Sequence, residues 1–391
     1  MEKTWRWFGK KDKIKLDMLR QIGVEGIVSA LHDIPNGEVW TLEAINDYKN
    51  YIESFGLRWS VVESLAVSES IKYGGADRDF LIENYIKSLE NLGKAGVKTV
   101  CYNFMPVLDW ARTDLYFQWA DGSSSLYFNK AKFAYFEIHI LKRKGAEKDY
   151  NSDILQKVEQ LKTTLTDEDN NDLIDSIIVK TQGFVNGNIK EGDKNPVQLF
   201  KNLLALYDGI DKDQLRQNMK YFLEKIMPVC EEYDIQMCVH PDDPPFSLLG
   251  LPRIVTSEED IDWFLNEVDN PHNGLTFCTG SLSAGLQNDV PKLAQKYASR
   301  TKFVHLRSTN VFDNGDFIEA GHLEGRGKII DVVRIFEKEN PILPMRIDHG
   351  RLLTDDIGKG YNPGYSFLGR MLALGQIDGV MATVQSELQR N

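Results

Sequence analysis

The chain has 391 residues, of which 42% are hydrophobic and 27% charged, and a formal net charge of -12. This is globular composition with material for a large core, and its acidity argues against nucleic acid or an anionic membrane as a partner. Length alone suggests two or three domains, although a single barrel with an insertion fills it equally well.

The opening stretch, MEKTWRWFGKKDKIKLD, has no apolar run suited to a signal peptide, and no later window reads as a membrane span. The four cysteines (Cys101, Cys230, Cys238, Cys278) are too few for a disulfide framework in so long a chain. The expected location is therefore the cytoplasm, with the thiols reduced.

Strand-like and helix-like runs alternate from the start. KTWRWFG precedes the helical KIKLDMLRQIG, GIVSALHDIP precedes TLEAINDYKNYIESFG, and RWSVVES precedes RDFLIENYIKSLENLGKAG. Each helix pattern ends in a glycine just before the next strand, the mark of a helix C-terminus. KTVCYNFMP, near 98–104, is the fourth strand. The rhythm then breaks. Residues 110–200 are rich in Asp, Asn, Lys and aromatics and carry helical patterns such as NKAKFAYFEIHILKRKG, but no clean β-α unit. They read as a helical insertion in a βα loop, serving as a lid over the mouth or as a contact in a homodimer.

The alternation resumes with the amphipathic DQLRQNMKYFLEKIMPVCEEYD and strand five, QMCVHP. SEEDIDWFLNEV has a serine cap and an acidic first turn and leads to strand six, LTFCTG. DVPKLAQKYASR leads to strand seven, KFVHLRS, and KIIDVVRIFEKEN to strand eight, PMRIDHGR. YNPGYSFLGRMLALGQIDGV closes the ring. The expectation is one (β/α)8 TIM barrel domain over residues 1–391, with a helical insertion after strand four.

The chemistry gathers at the ends of strands five to eight: His240, Cys278, His305 and Asp348. Each has an ordinary explanation on its own, such as a core histidine or a small buried cysteine. A carboxylate ending PMRID is harder to explain, because an apolar setting penalises it unless it is paired or binds a cation. Four such residues at equivalent places in consecutive units read as one divalent-metal site, and two imidazoles, a thiolate and a carboxylate suit zinc, ferrous iron or manganese. His349 is adjacent to Asp348 and must leave strand geometry to face the same mouth, a departure that Gly350 eases. His322, in a Gly-rich loop after strand seven, is a candidate for touching substrate, and His32 ends strand two. Arg307, Arg326, Lys328 and Arg351 are candidate cations for an anionic substrate.

The start MEKTWRWFG, together with VCYNFMPVLDWARTDL, CVHPDDPPFSLLGLPRI, TFCTGSL, FVHLRS and the closing RIDHGR and GYNPGYSFLGRMLALGQIDG, resembles the mannonate dehydratase family of metal-dependent, xylose-isomerase-like barrels over nearly the whole chain. The resemblance implies dehydration of D-mannonate to 2-dehydro-3-deoxy-D-gluconate in hexuronate catabolism. It implies Mn2+ or Fe2+ held by His240, Cys278, His305 and Asp348, with acid–base roles at His349 and Tyr361. Arg307, Arg351 and His322 are then the expected substrate contacts. The main alternative is a metal-dependent sugar isomerase or epimerase on the same barrel, acting on a neutral sugar.

Overall fold

A computed structural model describes residues 1–184 and 189–390. Eight parallel strands, β1 (Glu2–Arg6), β2 (Gly26–Ser29), β3 (Arg58–Glu63), β4 (Thr99–Tyr102), β5 (Gln236–Val239), β6 (Asn273–Cys278), β7 (Thr301–Leu306) and β8 (Pro344–Ile347), close into a barrel. β1 pairs with both β2 and β8, which completes the ring. Most of the strands are buried almost throughout, as expected of a parallel sheet covered by helices.

The glycines that end the first three helix patterns have the conformation their position requires. Gly23, Gly56 and Gly96 have φ of 84°, 73° and 76°, a region where a Cβ is penalised. Ser257 caps the helix Glu258–Glu267 through the Asp260 amide, and Asp211 caps Lys212–Tyr233 through that of Gln214. Inside the barrel, Val28, Val61, Cys101, Cys238 and Phe303, each from a different strand, form one apolar cluster. It is a packed floor under the mouth, and Phe303 meets the His305 ring edge-on at 4.7 Å.

The segment between β4 and β5 departs from the expectation of a purely helical insertion. It carries helices Lys130–Tyr135, Ser152–Thr164, Asp167–Ile174 and Pro196–Ala205, but also the strands Asp114–Gln118 and Ser124–Phe128. These form an antiparallel pair, and Ser124–Phe128 also pairs with Phe317–Glu319, which pairs with Thr309–Val311. Half of this four-stranded sheet therefore comes from the loop after β7. Residues 185–188 of the insertion lie outside the described residues. Ser124 and Leu352 exchange backbone hydrogen bonds of 3.1 and 2.8 Å, so the sheet is tied to the loop after β8, at the carboxyl face of the barrel.

Phe128 is the hub of this attachment. It is fully buried, stacks on Phe317 with ring centroids 5.1 Å apart, and meets Phe133 and Phe246 at 5.3 and 5.7 Å. Phe128→Ala is expected to destabilise the protein by about 3–5 kcal/mol, the cost of emptying such a site. The check is a denaturant melt, where a midpoint equal to wild type would mean that the sheet contributes nothing to the fold.

Candidate active site

Each strand end delivers one side chain to the mouth. His240 immediately follows β5, Cys278 is the last residue of β6, His305 is next to last in β7, and Asp348 immediately follows β8. The barrel register sets Cys278 beside His305 and His305 beside Arg346. One ligand atom each from His240, Cys278 and His305 lie within 4.8 Å of one another, with His240 Nε2 3.1 Å from His305 Nδ1. Asp348 is not part of that group of three. Its Oδ2 is 3.9 Å from Cys278 Sγ, and its oxygens face guanidinium groups, Arg346 at 2.6 Å and Arg307 at 3.4 Å.

The charge states suit a cation. Burial pushes the Cys278 thiol up, but Arg307 and His240 outweigh it and hold the group well below the usual thiol range. Burial pulls His240 down, and the Cys278 sulfur beside it more than reverses this, to about 10. A depressed thiol favours the thiolate, the form that binds a divalent ion. Burial pushes Asp348 and Glu63 up as well, yet His349 and Arg346 around the first, and Arg346 and His305 around the second, keep both carboxyls well below their ordinary values. Two imidazoles and a thiolate, with a carboxylate alongside, fit a divalent transition metal.

One side of the mouth is a buried ionic network. Arg112 pairs with Asp243 at 2.7 Å and Glu319 at 2.9 Å, and Arg307 pairs with the same two carboxylates at 2.7 and 3.3 Å. Glu319 belongs to the strand Phe317–Glu319, so the network joins the accessory sheet to the barrel. It ends on His349, whose Nδ1 lies 2.8 Å from Arg307 Nη1 and 3.1 Å from Glu319 Oε1. Arginine can only donate and a carboxylate only accept. A bare Nδ1 therefore accepts from Arg307 and a protonated Nδ1 donates to Glu319, so the nitrogen has a partner either way. That is what a group that passes a proton needs.

The remaining sequence candidates are distributed unevenly. His349 and Arg307 line the cleft, together with Trp110, His32 and Tyr365. Tyr361 does not. It borders a separate small pocket with Leu115, Leu352 and Pro363, and Tyr365 occupies the cleft in its place. The Tyr365 hydroxyl is 3.3 Å from Asp348 Oδ1, its ring meets that of His349 edge-on at 5.2 Å, and burial raises its phenol above the usual range. Gly364 is the reason. At φ 78° it turns the chain, and a Cβ there would stand 3.0 Å from the His349 ring.

Arg351 also lies elsewhere. It reaches out to Asp121 at 2.9 Å and stacks on Trp119, which makes it a tie to the accessory sheet. His322 is buried against the Leu306 backbone and is not among the residues that line the cleft, and burial lowers it to about 4. Arg326 is occupied by backbone carbonyls, the shortest contact being 3.1 Å to Ser283. The sequence reading passed over Arg6, Glu63, Asp243, Glu319 and Arg346. Arg6 and Glu63 are the last residues of β1 and β3, so the rule that singled out Cys278 would have found both.

The model of the D-mannonate dehydratase (UxuA) family matches residues 1–391. The chain belongs to this family. A relative from Marinomonas sp. (strain MWYL1), named mannonate dehydratase, is 44% identical over 99% of this chain and 100% of its own. The crystal structure of mannonate dehydratase from Streptococcus suis serotype 2 superposes with a TM-score of 0.79 at 33% identity, covering 99% of this chain and 96% of that one. A xylose isomerase domain protein from Planctomyces limnophilus, at 8% identity and a TM-score of 0.52 over 100% and 99% of the two chains, shares the fold alone.

Proposed function

We propose that the protein is a hydro-lyase that removes water from D-mannonate to give 2-dehydro-3-deoxy-D-gluconate, a step of hexuronate catabolism. Family membership over the full chain carries this reading, and the cleft supports it. Mn2+ or Fe2+ would be held by His240, Cys278 and His305, with Asp348 beside them. Bound there, the ion supplies a Lewis acid for the charge that builds on the substrate as it loses its C2 proton. His349 and Tyr365 handle the protons, and Tyr365 takes the role first assigned to Tyr361. One accepts the proton from C2, whose electrons form the C2–C3 double bond. The other protonates the C3 hydroxyl, which leaves as water. The resulting enol takes a proton at C3 and gives up the proton of its C2 hydroxyl, which becomes the carbonyl of the 2-keto acid.

Trp110 lines the cleft and packs with Leu115 and Leu126 of the accessory sheet, which places an apolar wall beside the reacting carbons. Among the described residues, no helix is long and apolar enough to cross a membrane. The four buried, unbridged cysteines are consistent with a reducing cytoplasm. The test is to incubate metal-reconstituted protein with a panel of aldonic acids and ketoses. The expected result is a 2-keto-3-deoxy acid from D-mannonate and no change in the ketoses. Epimerised or isomerised ketose, with D-mannonate untouched, would overturn the proposal in favour of an isomerase.

A further inference from the structure

The cleft lining contains three arginines, and they are not equivalent. Arg307 answers Asp243 and Glu319, and Arg346 answers Glu63 at 2.9 Å and Asp348 at 2.6 Å. Arg6, the last residue of β1, is 5% exposed and lines the same cleft. Its guanidinium lies over the Phe8 ring at 5.1 Å, and its Nε and Nη1 have no hydrogen-bond acceptor among the described residues. Glu63 is the nearby acid, but its two oxygens are taken by Arg346 at 2.9 and 3.0 Å. A buried guanidinium whose Nε and Nη1 have no acceptor is costly to keep, and such a group facing a substrate cleft implies an anion that comes with the substrate.

We infer that Arg6 holds the carboxylate of the substrate. This rests on the reading of the substrate as a sugar acid. The planar fork of N–H groups matches a carboxylate with two parallel hydrogen bonds, and the Phe8 ring fixes the plane of the fork. Arg6 is also close enough to Tyr365 to ease the upward push on its phenol. A carboxylate seated on Arg6 therefore brings the carbons next to it toward the pair Tyr365 and His349. As the C2 proton leaves, charge moves onto that carboxylate, so Arg6 contributes to turnover as well as to binding.

The experiment compares wild type, Arg6→Met and Arg6→Lys with D-mannonate as substrate and D-mannitol, the same carbon chain without the carboxylate, as a competitive ligand. Arg6→Met is expected to lower kcat/KM by roughly 10²–10³-fold, the weight of one charge-stabilising donor set. The inhibition constant of D-mannitol should stay within about twofold, and the metal content should match wild type. Added guanidinium should restore part of the lost activity. Arg6→Lys, which keeps the charge and loses the fork, should fall roughly tenfold, and it carries the test if Arg6→Met does not fold. Near-normal kcat/KM in both variants, or an equal loss of affinity for D-mannitol, would overturn the assignment. If wild type binds D-gluconate over D-glucitol in calorimetry but never turns over D-mannonate, the substrate reading fails. Arg6 is then judged on whether Arg6→Met abolishes that preference for the acid.

Discussion

His349→Asn and Tyr365→Phe are each expected to cut turnover of D-mannonate by roughly 10²–10⁴-fold, the usual weight of a general acid or base. His349 Nδ1 is held between Arg307, which can donate to it, and Glu319, which can accept from it. Asn matches the size of the ring but has no proton to exchange at neutral pH. Tyr365→Phe removes one hydroxyl, 3.3 Å from Asp348, and leaves the ring packed against His349. Metal content should be unchanged in both, because neither side chain is a proposed ligand. The partition between base and acid is read from exchange of the C2 proton with solvent deuterium. The variant without the base exchanges nothing, whereas the variant without the acid exchanges but fails to eliminate water. If both variants keep near-normal turnover with metal bound, the assignment is wrong. Tyr361→Phe is the useful control. From its place in the separate pocket beside Pro363, it should retain most of the activity.

Cys278→Ser is expected to weaken metal affinity by about 10²-fold or more, beyond the 10–100-fold cost of losing a hydrogen-bonding partner of a ligand. The thiolate is held ready by Arg307 and His240 against the effect of burial, and a serine hydroxyl is not deprotonated under the same field. The volumes are close, so the barrel should fold without metal. The difference appears in linkage. At a free ion concentration 100 times the dissociation constant, metal should stabilise wild type by about 2.7 kcal/mol. At the same concentration the variant should gain almost nothing. A metal-dependent rise in melting temperature that survives in Cys278→Ser would show that the sulfur is not a ligand.

The barrel was readable because its signals are local. Apolar runs followed by amphipathic helices and terminal glycines recur with each unit, and parallel strands joined by helices have few other ways to close. The strand-end residues were readable for the same reason, since residues at or beside the carboxyl end of a barrel strand border the mouth. Three of the four named ligand candidates come within 4.8 Å of one another.

What was not readable depends on distant parts of the chain. Ser124–Phe128 is a strand because Phe317–Glu319, nearly 200 residues away, pairs with it, and DLYFQW read alone shows only a short aromatic patch. Loop side chains were equally hidden. Tyr361 and Tyr365 stand four residues apart in one Gly- and Pro-rich stretch, and only the turn at Gly364 decides which faces His349. Arg351 was one of several cations that could meet an anionic substrate, but Asp121 of the accessory hairpin claims it. Arg6 was overlooked although its position was legible, because a lone arginine in KTWRWFG gives no sign that every other cleft arginine is already neutralised.

The most direct test of the account is the reaction run in D2O with metal-loaded protein and followed by NMR. Elimination across C2 and C3, with an enol that takes its last proton in the site, predicts 2-dehydro-3-deoxy-D-gluconate carrying one deuterium at C3. Unchanged D-mannonate, or a product with no solvent deuterium at C3, would contradict it.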